Sequence, residues 1–93
     1  MKEEVKKLLE NLLENGFLLD AKSIEYEIQE QRVGTRPFFK IVLPAKGEKL
    51  AMIIGKQGMT LYAINKLFSV WGFQKGVIVR LVQKRAKNDN ESN

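Results

Sequence analysis

Apolar residues in this chain repeat first at helical spacing, then alternate in two successive runs, return to helical spacing twice and alternate once more at the end. Such an order of periods restricts the fold more than composition does, because each period fixes which face of an element is buried. Val5, Leu8, Leu9, Leu12 and Leu13 follow the i, i+3, i+4, i+7, i+8 pattern of a helix, with Glu3 and Glu4 at its positive end and Gly16 as its stop. Ile24, Tyr26 and Ile28 alternate with Glu25, Glu27 and Gln29, which predicts a strand with one solvated face. Residues 31–35 read as the connecting turn. Phe39, Ile41 and Leu43 alternate with Phe38, Lys40 and Val42 in a second strand, entered through Pro37 and ended by Pro44. So short a connection makes the two strands antiparallel neighbours.

Residues 46–54 are expected to form a short helix with Leu50, Ile53 and Ile54 inward. From Met59 to Trp71, Leu61, Ile64, Leu67, Phe68 and Trp71 share one helical stripe, Tyr62, Asn65, Lys66 and Ser69 face elsewhere, and Gly72 closes the helix. Residues 77–82 predict a third strand, parallel to the second through a right-handed crossover. The expectation is one α+β domain over residues 1–84, ordered α-β-β-α-α-β, with a three-stranded mixed sheet and the helices packed on one face. The polar stretch 85–93 is expected to be a disordered tail.

Between the second and third helices lies Gly55-Lys56-Gln57-Gly58. Two glycines three apart let the main chain turn sharply and come close to a ligand at a helix N-terminus. The glycine pair is expected to accept aspartate at both positions without loss of fold. Charge reinforces the reading. Residues 1–30 hold eight acids against four lysines, whereas residues 31–87 hold twelve bases against Glu48 alone, within an overall net charge of +5. A basic segment around a glycine loop suits a polyanion, since each neutralised phosphate releases counterions.

Other chemistries are poorly supplied. The chain has no cysteine and no histidine, so thiol nucleophiles, disulfides, Cys- or His-based metal sites and a neutral-pH histidine base are all absent from the sequence. Gly-Lys-Gln-Gly lacks the spacing of a P-loop. Glu10 and Glu14 lie one turn apart beside lysines and read as helix-surface charges. Phe38, Phe39, Phe68, Trp71 and Phe73 read as core or contact surface. The expectation is therefore a protein that is not an enzyme and takes no cofactor or metal. The first residues lack the apolar stretch of a signal peptide, and no apolar run approaches the ~20 residues of a membrane span, so a cytoplasmic location without membrane contact is expected.

The element order and the stretch Ile53-Ile54-Gly55-Lys56-Gln57-Gly58-Met59-Thr60-Leu61-Tyr62-Ala63-Ile64 resemble a KH domain of the type II arrangement. The pattern is most similar to the KH module of the bacterial Jag family and to small standalone bacterial KH proteins, and the resemblance covers residues 1 to about 84. It implies binding of single-stranded RNA, or single-stranded DNA, with about four nucleotides clamped between the glycine loop and a sheet edge. On that resemblance Gly55 and Gly58 admit the backbone, Lys56 pairs with a phosphate, Gln57 bonds a phosphate or sugar, and Ile53, Ile54 and Met59 form an apolar floor. Lys49 joins the RNA-binding set, and Arg32 and Arg36 form the far wall. One groove alone implies modest affinity, raised in a homodimer or a heterodimer with another RNA-binding protein. The alternative is a KH-fold module kept for protein contacts or dimerisation, with little or no nucleic-acid binding.

Overall fold

The computed structural model describes residues 1–84, so the expected tail, 85–93, lies outside the described residues. Helix α1, Lys2–Asn11, buries Val5 and Leu9 and runs on into a wider π-helical turn, Leu12–Gly16, that buries Leu13. The Phe17 amide donates to the Leu12 carbonyl at 3.2 Å, and Leu19 donates to Leu13 at 2.8 Å, so the chain leaves the helix close to the expected Gly16 stop.

Strand β1 is Glu27–Val33 and β2 is Arg36–Leu43. The first strand thus begins and ends later than alternation predicts. Asp20 accepts a hydrogen bond from the Lys22 amide at 3.0 Å and caps a short turn, Ala21–Ser23. Ile24 is buried from that approach segment before any pairing begins. At the other end, Gly34 takes φ 64° and reverses the chain in two residues, with Val33 opposite Arg36. A left-handed glycine allows the tightest hairpin, so Gln31, Arg32 and Val33 are paired strand and not turn.

Helix α2 is Leu50–Ile54, shorter than the expected 46–54 because the chain first turns at Gly47, whose carbonyl accepts from the Leu50 amide at 3.2 Å. Glycine resists helix by about 1 kcal/mol relative to alanine, which favours the turn. Helix α3, Met59–Lys75, passes through the expected stop at Gly72 and ends at Gly76, which takes φ 75°. Gly72 is buried inside the helix, where a Cβ would lie 2.6 Å from the Val77 carbonyl oxygen. It is a close-approach position rather than a cap.

Strand β3, Ile78–Gln83, pairs parallel with β2, while β1 pairs antiparallel with β2. The sheet order is β1-β2-β3, a three-stranded mixed sheet as expected. Phe39, Ile41 and Leu43 of β2 and Val79 and Leu81 of β3 share one core with Val5, Leu9, Leu13, Ile53, Ile64 and Phe68. All the helices therefore lie on one face. On α3 the stripe differs from the expected one: Ile64 and Phe68 are buried, Leu61 and Trp71 are half-buried, but Leu67 is 64% exposed. Burial beside α1 raises the Tyr26 phenol above its ordinary value, and the Glu10 carboxylate adds to the shift. No helix among the described residues is long and apolar enough to cross a membrane.

Candidate nucleic-acid interface

The loop is built from three residues with positive φ. Gly55, at φ 75° and ψ 175°, ends α2 while its amide donates to the Ala51 carbonyl at 2.9 Å. Lys56–Gly58 then make a single tight turn in which the Gly58 amide donates to the Gly55 carbonyl at 3.2 Å. Gln57 takes φ 57° and ψ 26°, a left-handed conformation uncommon outside glycine, asparagine and aspartate, and Gly58 follows at φ 75° and ψ 13°. The effect is to turn the chain directly from α2 into α3 with Lys56 and Gln57 exposed at the apex.

The two glycines have different duties. A Cβ on Gly55 would sit 2.2 Å from Thr60 Oγ1 and 2.9 Å from the Thr60 amide nitrogen, so this glycine is demanded by packing within the loop. A Cβ on Gly58 would meet nothing within 4 Å. The space beside Gly58 is therefore open.

Of the expected floor, Ile53 is fully buried and belongs to the core, so it cannot touch a ligand. Ile54 is half-buried and Met59 is 68% exposed. Tyr62, 64% exposed, and Lys66 continue the Met59 side of α3 at the i+3 and i+7 positions, with the Lys66 ammonium 5.2 Å from the centre of the Tyr62 ring. These two residues were not expected at the site. The signal for them was present in their spacing from Met59, but it needed the knowledge of which side of α3 is covered.

The outlying bases are not gathered at the loop. Lys49 precedes α2, at the end away from the glycines, and lines a cavity of about 350 Å³ with Ile24, Glu25, Pro44 and Leu50. Arg32 donates to the Thr35 carbonyl at 3.3 Å within the hairpin turn. Arg36 donates to the Val77 carbonyl at 3.3 Å, beyond the C-terminal end of α3. The loop sits at the other end of that helix, roughly 25 Å away at 1.5 Å per residue. The far wall expected from Arg32 and Arg36 is thus not formed by them, because the parallel β2-β3 pairing carries the hairpin to the opposite end of the sheet.

The Tyr62–Lys66 side of α3 is flanked by β3. Asn65, expected to lie off the apolar stripe, is half-buried: its side-chain amide donates to the Leu81 carbonyl at 2.8 Å and its oxygen accepts from the Leu81 amide at 2.7 Å. It therefore occupies both outward backbone groups of Leu81 on the free edge of the sheet. Asn65→Leu is expected to cost roughly 2 kcal/mol, since two backbone groups lose their partners, and to speed amide exchange at Leu81. Urea melts and hydrogen exchange check this, and unaltered Leu81 protection would refute it.

Among the described residues no group of three or more acids is placed to hold a metal ion. Comparison of the chain with family models, curated proteins and solved structures finds no match.

Proposed function

We propose that this protein is a type II KH-like domain that binds single-stranded RNA without catalysis, through the loop Gly55–Gly58. The order α1-β1-β2-α2-α3-β3, with β2 antiparallel to β1 and parallel to β3, supports that fold assignment. The observation that carries the functional reading is the open approach at Gly58 next to exposed Lys56 and Gln57. A backbone can reach the loop there and meet one cation and one amide. With a single lysine at the apex, the grip is electrostatic and weak, and it reads the strand's backbone rather than its bases.

The test is a salt titration with a uridine tetranucleotide. Lys56→Ala should lower the slope of log affinity against log salt by about 0.7, the value for one phosphate contact on a single strand. An unchanged slope would remove Lys56 from the interface. A second reading, a module for protein contact or dimerisation, draws support from α3, where Met59, Leu67, Val70 and Phe73 are each at least 60% exposed. A stable dimer in solution that binds neither RNA nor single-stranded DNA at low salt would favour it.

A further inference from the structure

The face of the sheet turned away from the helices carries an arrangement that the fold does not need. Strand register places Lys40 beside Arg80 on this face, with Phe38 beside Ile78 in the row to one side and Val42 beside Val82 in the row to the other. These six residues alternate with the buried Phe39, Ile41, Val79 and Leu81, and all six are half-buried or exposed. Neighbouring strands lie ~4.8 Å apart, and like charges side by side across a sheet are destabilising. The residue completing the row on β1 is Gln29, which is neutral. Among the described residues the single ion pair joins Lys75 to Glu4, so neither Lys40 nor Arg80 is compensated by one. The two cations lie between the apolar pairs Phe38 with Ile78 and Val42 with Val82, whose rows continue on β1 as Gln31 and Glu27. The side of Phe38 and Ile78, away from the acid, is therefore the part of the surface that gains from an anion carrying flat apolar groups.

Arg80 also joins this face to the loop side. It lines a cleft of about 160 Å³ with Tyr62, Asn65, Lys66 and Ser69 of α3. Asn65 of α3 is hydrogen-bonded to Leu81 and α3 begins six residues earlier at Met59, about 9 Å along the helix, so the glycine loop lies beyond Leu81 towards the Gln83 end of β3. A chain leaving the loop can pass Tyr62 and Lys66, cross the β3 edge at Arg80 and reach Lys40 and Phe38.

We propose that the open sheet face is a second nucleic-acid contact surface, on which Lys40 and Arg80 hold successive phosphates of a single strand and Phe38 stacks on a base. The proposal rests on the reading that the chain binds single-stranded RNA, but it uses none of the loop residues. The choice of a nucleic acid over an acidic protein follows from the pairing of cations with an aromatic ring, since bases supply a flat partner at each phosphate step.

The test compares wild type, Lys40→Gln with Arg80→Gln, and Lys56→Asp with Gln57→Asp, each titrated with a uridine tetranucleotide and a uridine dodecanucleotide at several salt concentrations. The sheet variant should weaken dodecanucleotide binding about tenfold at low salt, lower its salt slope by about 1.4, and leave the tetranucleotide within about twofold. Unchanged dodecanucleotide affinity and slope would overturn the proposal. So would a twelve-residue polyglutamate that binds wild type as tightly as the dodecanucleotide and is lost in the sheet variant, since the face would then take an acidic protein. Failure of the loop reading looks different: both oligonucleotides would survive the loop variant, while the sheet variant would still weaken the longer one. Wild type binding neither oligonucleotide would overturn both. If the double sheet variant melts early, Arg80→Gln alone, on the exposed strand edge, should lower the slope by about 0.7, and no change would again refute the proposal.

Discussion

Gly55→Ala is expected to cost about 3 kcal/mol of stability, from two sources that act together. The backbone at φ 75° and ψ 175° is a region open almost only to glycine, and forcing a side chain into it costs about 1–3 kcal/mol. The new methyl would also meet Thr60 Oγ1 at 2.2 Å and the Thr60 amide nitrogen at 2.9 Å, so the first turn of α3 must shift. For a domain of this size that is a fall in Tm of roughly 12–24 °C. Gly58→Ala should cost only about 1 kcal/mol, because its left-handed backbone is mildly unfavourable for alanine while its Cβ meets nothing within 4 Å. Thermal melts of the two variants side by side check the contrast, and equal losses would refute it. The expectation that aspartate at both glycines preserves the fold is corrected by the same geometry. A variant at Gly55 that loses RNA reports on folding, whereas one at Gly58 reports on the approach to the loop.

Where one face of an element is wet and the other dry, the pattern of residues was enough to read it. The burial of Val5, Leu9 and Leu13, the alternation Phe39-Ile41-Leu43 and the pairing of three strands follow directly from period. Boundaries were less legible, because they depend on local hydrogen bonds and backbone angles. Asp20 capping the turn before Ile24, Gly34 reversing the hairpin in two residues and Gly47 delaying α2 each shifted an end by several residues. Gly72 shows the same limit differently: a glycine that ends a helix and one that lets a strand approach are identical in sequence, and only the Val77 carbonyl distinguishes them.

At the site, the loop was legible and its surroundings were not. Ile53 and Ile54 were both expected inward and both on the floor, but adjacent helical residues point about 100° apart, and the packing of α2 buries Ile53 fully while leaving Ile54 half-buried. Leu67 is exposed and Asn65 half-buried because α3 turns its Asn65 side to β3, where the amide bonds both backbone groups of Leu81, a partnership that apolar spacing does not encode. Arg32 and Arg36 failed as a wall because their distance from the loop is set by strand direction and helix length, which only the assembled sheet makes visible.

The central claim is that the apex of the loop holds an RNA backbone, and Lys56→Asp with Gln57→Asp tests it most directly. Both side chains are exposed, and aspartate tolerates the left-handed backbone that Gln57 adopts, so the fold should survive with Tm altered by no more than a few degrees. The substitution removes one cation and adds two carboxylates where phosphates are expected. Losing a charge-assisted contact and gaining repulsion should cost about 2–3 kcal/mol of binding, or roughly 30- to 150-fold. Fluorescence anisotropy with a labelled uridine tetranucleotide at low salt is the measurement. A folded variant that has lost tetranucleotide binding by that factor is the predicted result, and a folded variant that binds the tetranucleotide as wild type does would contradict the account.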